Sequence, residues 1–222
     1  MVPRELIATA ALPNGGEVRL VRRGDEWSIM LGANELMNSR KSGSEEALAT
    51  LACARLATDT PRVLIGGLGM GFTLRAALGC LGPRAQLVVA ELILAVVEWA
   101  RGPMAQLHVG TLNDPRVTIV EGDVRRLIND GGWDAILLDV DNGPDGLTMP
   151  ANDWLYAASG LAAIRRALRP GGVLAVWSAT PDVRFERRLG DAGYALEAVR
   201  VRAVGLRGAH HVIWLAVPKA SL

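Results

Sequence analysis

Three carboxylates stand at or just past the ends of short apolar runs, where a fold holds polar groups at the mouth of a sheet. Glu91 follows Leu87-Val88-Val89-Ala90, Asp139 follows Ala135-Ile136-Leu137-Leu138, and Asp123 comes shortly after Ile119-Val120. A fourth apolar run, Val63-Leu64-Ile65, leads into Gly66-Gly67-Leu68-Gly69-Met70-Gly71. Glycines at such a turn let a ligand approach the backbone closely, and the helix that follows offers free N–H groups at its start. Glu91 lies twenty residues beyond Gly71. A carboxylate at that distance, at the end of the next strand, can accept both hydroxyls of a ribose. Strand, glycine turn, helix, strand and acid together outline a site for a nucleoside cofactor.

The elements that must position these groups alternate. From residue 62 onward strands are expected over 63–66, 86–91, 116–120, 133–139 and 172–177, with helices from 72, over 93–101, over 153–168 and from 181. Two more strands, 195–204 and 210–217, are joined by Gly205-Leu206-Arg207-Gly208, a turn short enough to make them antiparallel neighbours. This pattern predicts an α/β fold with a doubly wound, Rossmann-like sheet of seven strands. Ahead of it, residues 6–12, 17–22 and 27–31 read as strands separated by Pro13-Asn14-Gly15-Gly16 and Gly24-Asp25. They form a small β cap over residues 1–43. Residues 44–222 form the main domain, which a helix over 44–57 opens at Ser44-Glu45-Glu46 and Thr60-Pro61 closes off.

A doubly wound sheet binds its ligand beyond the C-terminal ends of its strands, at the point where strand order reverses. Gly67, Gly69, Gly71, Glu91, Asp123 and Asp139 converge there, joined by Asp141 and Asn142, and by Trp177 and Ser178. Each has a plainer alternative. The glycine turn can serve tight helix–strand packing alone, and Glu91 can be a solvated acid beside a helix N-terminus. Asp123 precedes Val124-Arg125-Arg126-Leu127-Ile128 and can simply cap that helix, or can bond an adenine amino group. Asp139 is held too tightly by its apolar run to lack a partner. The adjacent His210 and His211 point to opposite faces of a strand and read as surface histidines. His108, in a Pro/Gly-rich loop, carries no argument, and the residues supply no metal-ligand cluster.

Composition narrows the function class. The chain has 222 residues, half of them apolar, and 24 basic against 23 acidic residues give a net charge of +1. No strong field draws it to nucleic acid or to a membrane. No apolar run approaches the ~18 residues of a membrane span, and the start of the sequence lacks a basic and then apolar leader, so a cytoplasmic location is expected. Cys53 and Cys80 lie in apolar helical patterns and are expected to be buried, reduced thiols.

Taken together these motifs resemble the class I S-adenosylmethionine-dependent methyltransferase superfamily, and within it the spermidine synthase (polyamine aminopropyltransferase) family. Val63 to Gly71 is similar to that family's Val-Leu-x-Ile-Gly-Gly-Gly-Asp-Gly-Gly. Glu91-Leu92 with Val96-Val97-Glu98-Trp99-Ala100-Arg101 resembles its Glu-Ile-Asp…Val-Val-Glu…Ala-Arg segment. Asp114-Pro115-Arg116-Val117…Glu121-Gly122-Asp123, Trp133-Asp134-Ala135-Ile136-Leu137-Leu138-Asp139 and Leu168-Arg169-Pro170-Gly171-Gly172 match further family segments. The likeness spans about residues 62–180. It implies S-adenosylmethionine or its decarboxylated form as cofactor, held by Gly67, Leu68, Gly69, Gly71, Glu91, Leu92, Asp123, Val124 and Asp139. It also implies a small amine as acceptor, no metal, and a homodimer to which the apolar N-terminal strands would contribute.

The departures fall on the amine half of the site. Met70 replaces an acid of the glycine motif, Glu45-Glu46 stands for the family's His-Glu, and Asp139-Val140-Asp141-Asn142-Gly143-Pro144 stands for Asp-Ser-x-Asp-Pro. In the reaction the resemblance implies, a nucleophile attacks a carbon beside a sulfonium, so the enzyme must align the reactants and take a proton from an amine. Asp139 is the expected base. Asp141, Asn142 and Glu45 are expected to hold the ammonium, with Trp177 as an apolar or cation–π wall. Aminopropyl transfer is the first reading. Methyl transfer is the second, because losing an acid at Met70 removes repulsion against a methionine carboxylate. A nucleoside-binding protein without catalysis is the third.

Overall fold

The computed structural model describes residues 2–12, 15–40, 42–140, 152–204 and 207–220. The first element group is an antiparallel sheet in the order β1 (Glu5–Ala11), β2 (Glu17–Arg23), β3 (Glu26–Leu31) and β4 (Asn34–Asn38). Its apolar face, with Val18, Leu20, Trp27 and Ile29, packs on Met70, Phe72, Val96, Trp99 and Met104 of the main body. Burying each large side chain there contributes about 1.5–3 kcal/mol, which a short sheet needs to hold its place.

Three strands were expected in this cap, and β4 makes a fourth. Its polar residues hide the alternation that marks a strand. Asn38 is used inward, donating to Ser28 Oγ at 3.1 Å and to Glu26 Oε1 at 2.7 Å, and Ser28 donates to Glu35 at 3.0 Å. A two-residue turn beginning at Gly32, with φ 56°, makes the reversal possible.

The main sheet has seven strands in the order β10-β11-β9-β8-β5-β6-β7. These are β5 (Arg62–Gly66), β6 (Gln86–Glu91), β7 (Val117–Glu121), β8 (Trp133–Leu138), β9 (Leu168–Ser178), β10 (Tyr194–Val204) and β11 (Arg207–Pro218). β5 pairs in parallel with both β6 and β8, so the order reverses at β5. β11 pairs antiparallel with both β9 and β10.

Helices cover both faces. One face packs on α1 (Gly43–Cys53), α2 (Phe72–Cys80) and α3 (Leu94–Arg101) through Leu48, Leu74, Ala77 and Val97. The other packs on α4 (Val124–Asp130), α5 (Asp153–Tyr156), α6 (Ala158–Ala167) and α7 (Val183–Asp191) through Ile128, Leu155, Leu161, Ile164 and Phe185. The strands of the middle read as continuous apolar runs because both faces are buried.

Several expectations need correction. The helix expected over 153–168 is two helices, broken at Ala157 in extended backbone (ψ 161°), and Leu168 begins β9 instead of ending a helix. A Cβ at Gly160 would collide with the Trp154 carbonyl, so the break brings α5 and α6 into close contact. α1 stops at Cys53, short of residue 57, because Arg55 and Leu56 bond three residues back in a tighter turn. Cys53 is buried, but Cys80 ends α2 on an exposed face.

Candidate active site

β5 ends at Gly66, and the glycine turn leaves it with Gly67, Gly69 and Gly71 all at positive φ (92°, 49° and 75°). Each glycine makes room for a specific neighbour. A Cβ on Gly67 would strike the Asp139 carbonyl oxygen, one on Gly69 would meet Met37 Sδ at 2.8 Å, and one on Gly71 would meet His108 Nδ1 at 2.6 Å. The turn is therefore packed from three sides, by β8, by the N-terminal sheet and by the short 3-10 helix Ala105–His108. The packing role and a ligand-cradling role coexist, because Gly67, Leu68 and Gly69 also line a cavity at the switch point.

Glu91 closes β6 and is buried, 7% exposed. Its oxygens accept the backbone N–H of Leu68 at 2.9 Å and of Ile93 at 2.8 Å, so it is no solvated surface acid. Burial pushes its carboxyl up, against the backbone donors of Ile93, Leu68, Gly69 and Leu92, which pull it down. The bonds to Leu68 and Ile93 take one lone pair on each oxygen. Leu92 follows it on the cavity wall.

Asp123 caps α4: Oδ1 accepts the Arg125 N–H at 2.9 Å, and Oδ2 accepts Arg125 Nε at 2.7 Å. Burial raises its pKa, and the Arg125 bonds outweigh that and hold it below the usual carboxylate range. The plainer capping alternative is thus realised. Asp123 and Val124 nevertheless line the same cavity as Glu91.

Asp139 stands just past β8 on the opposite wall. Thr73, on the first turn of α2, donates to its Oδ2 at 2.6 Å. Burial, then the charge of Glu45 and that of Glu91, push Asp139 up to about 7, and the Thr73 bond only partly opposes them. Glu45 comes from the start of α1, and Trp177 from the end of β9. Both line the cavity, and the buried Trp177 Nε1 has no hydrogen-bond partner among the described residues.

Beside the nucleoside-type groups the cavity wall turns apolar. Met70 is 3% exposed and packs in the cluster under the N-terminal sheet, and Met37 and Leu36 of β4 complete that wall. Asp141 and Asn142 lie outside the described residues. Asn152, just beyond them, lines the cavity, and Tyr156 donates its hydroxyl proton to the Val140 carbonyl at 3.1 Å.

Some site residues escape the sequence pattern. Ser44 reads as a helix cap, yet α1 is preceded by Ser42, and the buried Ser44 donates instead to Glu45 Oε2 at 2.6 Å. Ser44 Oγ also lies 2.8 Å from Nδ1 of His211. His211 is not the surface histidine expected: it is half-buried, with its ring edge-on to Trp177 at 4.8 Å between centroids. His108 proves to be buried too. Only the strand register, which puts His211 level with Val201 on the α1 side, separates it from the exposed His210.

Among the described residues no group of three or more His, Cys, Asp or Glu side chains is placed to hold a metal ion. None of their helices is long and apolar enough to cross a membrane.

No family model matches the chain. It is 30% identical over 197 residues to a polyamine aminopropyltransferase of Mycobacterium tuberculosis, covering 83% of this chain and 36% of that protein. It is 36% identical over 159 residues to polyamine aminopropyltransferase 2 of Pseudomonas aeruginosa, covering 68% of this chain and 43% of that one. Over a shorter stretch it is 38% identical to putrescine N-methyltransferase 4 of Nicotiana tabacum, covering 51% and 28%. The chain thus spans roughly two fifths or less of these relatives' lengths. Its fold matches that of spermidine synthase from Thermotoga maritima, with a TM-score of 0.75 at 19% identity over 95% of this chain and 72% of that one. A spermidine synthase solved with the transition-state analogue AdoDATO gives 0.74 at 18% over the same shares. The chain belongs to the spermidine synthase-like, polyamine aminopropyltransferase family, built on the fold of the class I S-adenosylmethionine-dependent methyltransferases.

Proposed function

We propose that this protein binds an adenosyl sulfonium compound and transfers its alkyl group to a small amine in the cytoplasm, with decarboxylated S-adenosylmethionine as donor and aminopropyl transfer as the reaction. The observation that carries this reading is the meeting of Glu91, Asp123 and Asp139 around one glycine turn, in one cavity. The fit is supported by the donor set itself: carboxylates on two walls, and a buried indole N–H with no partner among the described residues.

When bound, a sulfonium supplies a carbon already activated by a good leaving group. The protein's task is then to orient and to move a proton. Glu91 accepts the ribose hydroxyls alongside its backbone donors. Asp123 accepts an adenine amino proton with an oxygen it shares with Arg125, while Leu68, Leu92 and Val124 flank the base. Asp139, with a pKa of about 7, is tuned to take a proton from an amine near neutral pH. Glu45, with Asp141 and Asn142, attracts the ammonium, and Trp177 forms the wall beside it.

Methyl transfer from S-adenosylmethionine is the second reading. Met70, which brings no acid to the sulfonium end, favours it, as does the likeness to a putrescine N-methyltransferase. A homodimer joined through the N-terminal strands, where Leu6 is 58% exposed, completes the proposal and is tested by sedimentation.

Calorimetric titration with both donors and with methylthioadenosine decides among the readings. Preference for the decarboxylated donor, with product from putrescine, supports the first. Preference for the carboxylated donor supports the second. Tight nucleoside binding without turnover on any amine leaves a binding protein. No binding of any adenosyl compound at ~1 mM overturns all three.

A further inference from the structure

We infer that Cys53 and Cys80 are a site of reversible oxidation, where a small disulfide is reduced as the two cysteines join and lock α1 to α2. The inference is independent of the alkyl-transfer reading. It concerns the opposite end of the helix pair from Glu45 and Thr73.

α1 and α2 lie side by side and run in the same direction. At their starts the Thr73 hydroxyl donates to the Glu45 carbonyl at 3.3 Å, and beside it Arg75 meets Glu46 at 3.3 Å. Further along, the Cys80 thiol donates to Thr50 Oγ1 at 4.0 Å. Contacts that climb both helices together fix a parallel register. Glu46, Thr50 and Cys53 stand at i, i+4 and i+7 on one stripe of α1, as Thr73, Ala77 and Cys80 do on α2. Each helix ends at its cysteine.

Helical side chains lean back toward the N-terminus, so Cys53 covers the turn that holds Thr50, the residue that Cys80 already touches. The side chains along this seam are small. Ala49, Ala52 and Ala77 are buried with Cys53 in one cluster, and Ala76 packs against it. Small residues let two helices approach to the Cα separation that a disulfide needs, about 4.4–6.8 Å. The two thiols also sense each other: burial, then the charge of Cys80, push Cys53 up to about 12.

The pair is asymmetric. Cys80 is exposed, and a Cβ at Gly79 or at Gly82 would meet no atom within 4 Å, so a reagent has room beside it. Cys53 is 8% exposed and stays a thiol in its apolar surroundings, which shields it from external reagents. This asymmetry orders the reaction. The Cys80 thiolate attacks one sulfur of a small disulfide, the S–S bond breaks, and one small thiolate leaves. Cys53 then loses its proton to solvent and attacks the Cys80 sulfur, and the second small thiolate leaves. Two cysteines are oxidised to one cystine, the small disulfide is reduced to two thiols, and the two cysteine protons end on those thiols. The new bond joins positions 27 apart in the chain and closes the far end of a seam that Thr73 and Glu45 close at the near end.

The test uses the full chain, reduced and then treated with dithiobis(nitrobenzoate), which releases a coloured thiolate at each exchange. Two equivalents per chain are expected, the first faster than the second. The product is expected to weigh two hydrogens less than the reduced chain, to carry no adduct, and to run as a single chain on a non-reducing denaturing gel. Cys53→Ala is expected to release one equivalent and to keep the other half of the reagent on Cys80. Cys80→Ser is expected to release none from the folded protein. The bridged form is expected to melt about 5 °C or more above the reduced form, and dithiothreitol to reverse the shift. A wild-type chain that retains the reagent on Cys80, or a disulfide between chains, overturns the inference. So does release from folded Cys80→Ser, or a bridged form that melts no higher than the reduced one.

Discussion

Thr73 Oγ1 and Asp139 Oδ2 stand 2.6 Å apart, joining the first turn of α2 to the end of β8 across the switch point. The pair holds the Asp139 side chain against the cavity wall while burial and the neighbouring Glu45 and Glu91 charges resist its ionisation. A carboxyl poised near neutrality and held by the Thr73 hydroxyl is suited to taking a proton and giving it up again.

Asp139→Asn is accordingly expected to lower turnover by about 10²-fold or more while methylthioadenosine affinity stays within a few-fold. The carboxyl must be ionised to act, so the wild-type rate should fall as pH drops below about 7. The sign for stability is the reverse. A raised carboxyl favours the protonated folded form, so its contribution is present in acid and is lost as pH rises through about 7. Asp139→Asn should therefore stabilise the fold at pH 8 by on the order of 1 kcal/mol. Rate against pH and urea unfolding at two pH values measure both effects, and an unchanged rate in Asp139→Asn refutes the base assignment.

Glu91 reaches the turn differently, by accepting from Leu68 and Ile93 at 2.9 and 2.8 Å. Removing it leaves two backbone donors without their acceptor as well as the ribose ligand lost, at a cost of about 1–3 kcal/mol for each buried group. Glu91→Ala is expected to weaken methylthioadenosine binding at least tenfold and to lower the unfolding midpoint. Glu91→Gln, which keeps an acceptor oxygen, should lose less of both. Equal affinity in Glu91→Ala and wild type would remove Glu91 from the nucleoside site.

The groups at strand ends were legible because a buried parallel strand shows as an unbroken apolar run, and Gly67, Glu91 and Asp139 each follow one. What lies opposite them was not. β4 is a strand whose Asn34, Glu35 and Asn38 make it look like loop, and it brings Met37 onto Gly69. The pairing of Val201 with His211 decides which of two adjacent histidines faces α1, and register is a long-range property. Ala157 breaks a helix whose apolar spacing runs on undisturbed, because the Gly160 contact is tertiary.

His108 gives a stability prediction. It is 4% exposed, neither ring nitrogen has a hydrogen-bond partner among the described residues, and burial, then the Arg75 charge, hold its pKa down at about 4. The unfolded chain takes up this proton near pH 6.5 and the folded one only near 4, so stability is full above 6.5 and is lost as pH falls between these values. The loss is about 3 kcal/mol if His108 acts alone. His108→Leu should remove this dependence between pH 4 and 6.5, read as urea midpoints against pH. An identical slope in the variant would place the acid sensitivity elsewhere.

Met70 separates a residue that faces a ligand from one that belongs to the core. It occupies the place of an acid in the family's glycine motif, is 3% exposed, and packs with Val18, Phe72 and Val96 between the N-terminal sheet and α3. A carboxylate at this position would stand among these apolar side chains, and its desolvation costs several kcal/mol. Met70→Asp is therefore expected to lower stability by about 2–4 kcal/mol, while Met70→Leu, which nearly conserves volume, costs less than about 1.5. The two readings of the donor divide on the same variant. If the aminopropyl ammonium lies beside residue 70, the decarboxylated donor itself stabilises Met70→Asp, and the thermal shift it produces exceeds the shift in wild type. If residue 70 is core, both donors shift the two proteins equally. A Met70→Asp variant with a wild-type unfolding midpoint and no change in donor preference would refute the placement of this side chain in the apolar cluster.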